Sequence, residues 1–206
     1  LHQLGIAGVQ SEEIVNVLVV LSHPRRNSFC GAVMDSFITG LAASGHKAEI
    51  ADLHAEGFDP RMIEADEPEW ENPRKRYSPA VLAEQERIAR NDGMAFVFPV
   101  WWWSVPAMLK GWVDRVWNHG WAYGSTTLPH RKALLIGTAS GTAATYDKRQ
   151  YGPAMQAQLV VGIMNYCGIK AAEMELLFDV MDTPEIRAGH LARARKLGEA
   201  FGSATA

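Results

Sequence analysis

The chain has 206 residues, 48% of them hydrophobic and 21% charged, with a formal net charge of −3. This composition suits a single globular domain, expected over residues 1–206 with its core at about 14–203. It argues against nucleic acid as a main partner, since phosphate binding draws on clustered Lys and Arg.

Leu1–Gln10 is mildly apolar but has no basic n-region, and Glu12 and Glu13 follow at once, so no secretory leader is expected there. Ile14–Leu21 is a nearly continuous β-branched run, the form of a parallel strand buried on both faces. After Ser22-His23-Pro24, Phe29, Val33, Phe37 and Leu41 recur at every fourth position and predict a helix that stops near Gly45. Lys47–Asp52 predicts the second strand. Leu53–Tyr77 is polar and acidic and predicts a long excursion; its basic run, Arg74-Lys75-Arg76, sits beside Glu67, Glu69 and Glu71 and reads as a solvated loop. Ser78-Pro79 supplies a cap and a first-turn proline for a helix to about Asn91, and Met94–Phe98 makes the third strand.

Ser104, followed by Pro106, is expected to start the next helix, with Leu109, Val113, Val116 and Trp117 as its apolar stripe. Ala133–Thr138 is the fourth strand, and a small-residue loop, Ala139–Ala144, leads to Tyr146. A helix is predicted from about Pro153 to Cys167, then a fifth strand near Ala171–Phe178, and Thr183-Pro184 caps the last helix. Cys30 and Cys167 lie in no CxxC pattern and the seven histidines show no zinc spacing, so neither a disulfide framework nor a metal is expected, and the cytoplasm is the default compartment. The Trp-rich stretch is broken by Pro99, Pro106 and Lys110 and falls short of the roughly 20 apolar residues that span a bilayer.

Five strands alternating with helices predict an α/β fold, a doubly wound five-stranded parallel sheet with helices on both faces and ligands beyond the strands' carboxyl ends. Three loops end there: Ser22–Ser28, Pro99–Ser104 and Ala139–Tyr146. In the first, backbone amides, the helix dipole, the Ser28 hydroxyl and His23 or Arg26 converge on one spot, which is a phosphate site; the plainer alternative is that Ser28 only caps the helix. Neither G-x-G-x-x-G nor G-K-[ST] is present. Six of the seven tryptophans fall in 101–121, and Trp101-Trp102-Trp103 cannot all point into one core, so some line a cavity or a partner surface. A phosphate at one end, these rings beyond the neighbouring strand and a small-residue loop beyond the fourth describe a crevice for a phosphorylated aromatic cofactor, which suits a flavin.

The block Pro99-x-Trp101-Trp102-Trp103-Ser104-x-Pro106-Ala107-x-Leu109-Lys110-Gly111-Trp112-x-Asp114-Arg115-Val116, with His23–Phe29 and Tyr166-Cys167-Gly168, resembles the flavodoxin-like NAD(P)H:quinone oxidoreductases. This is the DT-diaphorase family with its bacterial relatives, and the resemblance runs over Ile14–Phe201. It implies that His23, Ser28, Phe29 and Cys30 form the pyrophosphate loop, with Cys30 where FAD-binding relatives often carry Asn. It places Pro99, Val100, Trp101, Trp102 and Trp103 along the flavin ring and Thr138, Ala139, Ser140 and Gly141 under its pyrimidine end. Tyr146 matches the tyrosine that stabilises the reduced ring's charge, and Tyr123 one that covers the substrate pocket; the partner histidine's position is Gly152, with Tyr151 beside it.

The implied activity is two-electron hydride transfer from NADPH or NADH, through non-covalent FAD with FMN as the alternative, to quinones or other flat electrophiles. The alternatives are a regulatory flavoprotein on a potassium-efflux transporter and a flavodoxin-type electron carrier. A homodimer is expected, because Met108, Trp112, Trp117 and Trp121 carry more apolar surface than one sheet face covers and relatives close the pocket across a two-fold axis.

Overall fold

The computed structural model describes residues 14–72 and 74–202. Strands β1 (Asn16–Leu21), β2 (Lys47–Asp52), β3 (Gly93–Pro99), β4 (Lys132–Thr138) and β5 (Ala171–Leu177) pair in parallel in the order β2-β1-β3-β4-β5. The strand order therefore reverses between β1 and β3, and an open crevice is left above their carboxyl ends. All of β3 and all of β1 beyond Asn16 are buried, which is why neither run alternates polar with apolar residues.

Helices α1 (Phe29–Ala43) and α6 (Pro184–Glu199) cover one face of the sheet, against Val17, Val19, Val97 and Ile136. A Cβ on Gly40 would overlap the Arg195 carbonyl and one on Gly198 the Phe37 carbonyl, so the two glycines let these helices touch. The other face is covered by α2 (Pro79–Ala89), α3 (Ala107–Val116), and α5 (Tyr151–Met155) with the π-helical run Gln156–Asn165 that continues it. No helix of the described residues is long and apolar enough to cross a membrane.

Four expectations are corrected. The stretch predicted as one helix from Pro153 to Cys167 is α5 followed by the π-helical run, and a further helix, α4 (Ala143–Arg149), stands where a loop was expected, so Tyr146 is helical. Thr142 caps α4 by accepting the Thr145 amide at 3.1 Å, and Gln150, at φ 58°, separates it from α5. Ser104 does not start α3: it closes a tight turn with Trp101, and Pro106 precedes the helix. Trp112 and Trp117 do not form an apolar surplus. Both are buried against Phe96 in this chain's own core, with the Trp112 Nε1 donating to Glu84 at 2.8 Å, so they supply no ground for a dimer.

The excursion 53–77 is pinned to the body by a buried ion pair. Asp66 accepts from Arg115 at 2.6 Å and from the Ser78 amide and hydroxyl at 2.9 and 3.0 Å. Arg115 also donates to the Asp59 carbonyl.

Candidate functional site

Two cavities open at the carboxyl edge of the sheet and share the walls Val100 and Ser140. The first, about 230 Å³, lies over the start of α1 and is lined by His23, Arg25, Ser28, Phe29, Cys30 and Trp101, among others. Ser28 is the N-cap: its Oγ accepts the Gly31 amide at 3.2 Å, which leaves the amides of Phe29 and Cys30, at the first two helical positions, without an intrahelical acceptor. Burial holds the His23 imidazole below its ordinary value; the hydrogen bond to the Arg25 backbone opposes the fall, and the Arg25 charge and His54 add to it, so the ring is neutral at pH 7. Its Nδ1 receives the Arg25 amide at 3.0 Å, which folds the loop.

The two neighbouring arginines divide their tasks. Arg26 forms an ion pair with Asp35 on α1 at 2.5 Å and does not line the cavity, whereas Arg25 does. Cys30 is buried, 3.1 Å from the Thr138 hydroxyl at the end of β4, and burial pushes its thiol up to about 11. It therefore remains a neutral tie between α1 and β4.

The second cavity, about 450 Å³, is walled by Trp102, Trp103, Tyr146 and Tyr151, with the Ser140-Gly141 loop beneath and Arg149 at its side. Its tryptophan wall is built by a turn that tryptophan does not favour. Trp101 and Ser104 exchange backbone hydrogen bonds at 3.2 and 3.1 Å, and Trp102 and Trp103 between them have φ of 52° and 53°. This is a type I′ turn, whose central positions usually hold Gly, Asn or Asp. Placing side chains there costs about 1–2 kcal/mol per residue, a cost in keeping with a binding role. Trp102 consequently stands 88% exposed, while Trp103 stacks on Tyr151 with ring centroids 4.2 Å apart.

The donor inventory of this edge is specific. The amides of Val100 and Ala139 are used within the sheet, on the carbonyls of Thr138 and Leu177, and that of Trp101 within its turn. The amides of Trp102, Trp103, Ser140 and Gly141 have no acceptor among the described residues. The Tyr146 ring is fixed by Phe178 at 4.9 Å and Tyr151 at 5.7 Å, its hydroxyl makes no hydrogen bond among the described residues, and burial raises its pKa, so it stays a proton donor at neutral pH. Amides and a hydroxyl around an aromatic slot, joined to a helix start, fit a ligand with a polar-edged flat ring and a phosphate tail.

Pro99 lines the cavity over the start of α1, and Ala139 lines neither cavity. Tyr123 is not with the others: it packs in a separate aromatic group with His119 at 5.7 Å, Tyr166 at 5.8 Å and Trp70 at 6.1 Å. Residues absent from the sequence reading but present at the cavities are Arg25, Val180 and Met181 at one end and Thr145 and Arg149 at the other. Val180 and Met181 follow β5, the neighbour of β4, so the strand order itself would have brought that fourth loop to the crevice.

The sequence profile of the flavodoxin-like fold family matches residues 15–198 of this chain. An uncharacterized NAD(P)H oxidoreductase of Escherichia coli (strain K12) is 34% identical over 185 residues, 88% of this chain and 92% of the relative. NAD(P)H dehydrogenase (quinone) 1 of Rattus norvegicus is 31% identical, over 81% of this chain and 70% of its own length. The structure of an NAD(P)H:quinone oxidoreductase from Methanothermobacter marburgensis superposes with a TM-score of 0.87 at 30% identity, covering 94% of this chain and 99% of that one.

Proposed function

We propose that this chain, which belongs to the flavodoxin-like fold family, is a flavin-dependent NAD(P)H dehydrogenase that reduces quinones or similar flat electrophiles. The observation that carries the reading is the pair of cavities joined at Val100 and Ser140, with phosphate donors at one end and aromatic walls with unused amides at the other. A bound flavin supplies the two-electron transfer, taking hydride from NADPH or NADH and passing it to the acceptor. Ser28, the amides of Phe29 and Cys30, and Arg25 hold the phosphate. Trp102 and Trp103 wall the slot in which donor and acceptor follow one another, and exclude water from it.

FAD is the expected flavin and FMN the alternative. The described residues of the excursion 53–77 wall neither cavity of their own chain, so cover for an adenine would come from a second copy in a homodimer. The same arrangement would bring Tyr123, which lines neither of the two cavities in its own chain, to the partner's substrate pocket. Both cysteines are free and buried, in keeping with a reducing, cytoplasmic setting. The protein is expected to purify yellow, to release its flavin on heating, and to oxidise NADPH or NADH with a quinone panel, and mass spectrometry of the released flavin decides FAD or FMN. A colourless protein that takes up no added flavin overturns the reading.

Tyr146→Phe is expected to slow flavin reduction about tenfold, ~1.4 kcal/mol. The loss stays well below that of a sole oxyanion donor because the amides of Ser140 and Gly141 share the developing charge. Stopped-flow reduction by NADPH, normalised to bound flavin, checks this. An unaltered rate with lowered flavin content or stability would make Tyr146 a packing residue.

A further inference from the structure

Among the described residues, Arg149 is the single charged side chain lining the 450 Å³ cavity, whose other walls are aromatic rings and small neutral residues. Among the described residues no carboxylate pairs with it, whereas Arg26 is held by Asp35 and Arg87 by Glu49, Glu56 and Glu84. It sits in the last turn of α4, where the helix dipole favours a cation, yet Lys148 before it meets that need without lining the cavity. An unpaired guanidinium beside a flat aromatic slot is a fork for a planar or tetrahedral acid group on a ring-shaped ligand.

We propose that Arg149 is a specificity-determining residue that binds the acid group of an anionic aromatic electron acceptor, a carboxylated or sulfonated quinone, while its ring lies along Trp102 and Trp103. The proposal rests on the quinone-reductase reading above. It also gives the cavity a sense of direction. The nicotinamide ring becomes cationic when it gives up hydride, so the guanidinium disfavours the oxidised ring in the slot and attracts the acidic acceptor that replaces it.

The test compares flavin-loaded wild type, Arg149→Gln and Arg149→Lys, with a naphthoquinone sulfonate and unsubstituted naphthoquinone as probes. Affinity is read by quenching of flavin and tryptophan fluorescence, and kcat/KM is measured for both quinones. Arg149→Gln is expected to lower the sulfonate-to-neutral ratio of affinities about tenfold, Arg149→Lys to retain only the part that charge alone supplies, and added salt to shrink the wild-type preference. An unchanged ratio overturns the proposal. So does an equal loss for both quinones, which would mean that the guanidinium acts on the flavin, or a change confined to NADPH against NADH, which would assign Arg149 to the extra phosphate of NADPH. If neither quinone turns over while the binding ratio moves as expected, the quinone-reductase reading fails and acid recognition by Arg149 stands.

Discussion

Arg115→Met is expected to destabilise the protein by about 3–5 kcal/mol, because it leaves the Asp66 carboxylate buried without its cation. The side chains of the pair are 5% and 0% exposed, so water has little access to either group. Methionine approximates the volume of the lost side chain, which confines the effect to charge and hydrogen bonding; the contact with the Asp59 carbonyl goes as well. Burial pushes the Asp66 carboxyl up, but the donors of Arg115 and Ser78 outweigh it and hold its pKa below the ordinary value. A depressed carboxyl contributes stability that is present above its unfolded-state pKa and is lost as pH falls through the folded value. The wild type should therefore lose part of its advantage over Arg115→Met in acid. Urea unfolding at neutral and acid pH measures both effects, and a difference under about 1 kcal/mol at neutral pH would mean that the pair behaves as an exposed one.

The strands were legible because β1, β3 and β4 are buried on both faces and read as unbroken apolar runs. The crevice was legible because strands alternating with helices call for a parallel sheet, whose carboxyl edge gathers the loops after β1, β3 and β4. What was not legible depended on pairings beyond the local pattern. Arg25 and Arg26 are indistinguishable as neighbours, and only Asp35, two turns along α1, decides which one turns away from the cavity over the helix start. The Trp102-Trp103 turn contradicts local propensity, since its left-handed backbone is one that sequence reading reserves for glycine or asparagine. A π-helical register leaves no mark in a pattern counted at 3.6 residues per turn, so the run after α5 passed for an ordinary helix. The burial of Trp112 and Trp117 was not legible because β3 offers Phe96 to both, a partner that no helix stripe reveals.

Ser28→Asp is expected to weaken flavin binding about a hundredfold, ~2.7 kcal/mol, while the fold persists. Aspartate is as good an N-cap as serine, and a carboxylate at the first turn of α1 favours the helix dipole, so unfolding stability should hold or rise. The same charge would stand where Ser28 now borders the cavity over the start of α1, the proposed seat of the phosphate. Two like charges about 4 Å apart repel by about 4 kcal/mol at an effective dielectric near 20, enough to exceed what the helix start and Arg25 return. Ser28→Asn separates charge from shape: it caps equally well, is nearly isosteric with aspartate and carries no charge. The fall in affinity should appear in Ser28→Asp and be largely absent from Ser28→Asn, with unfolding curves of both close to wild type. Equal flavin affinity for the two variants would make Ser28 a helix cap alone and move the phosphate away from the start of α1.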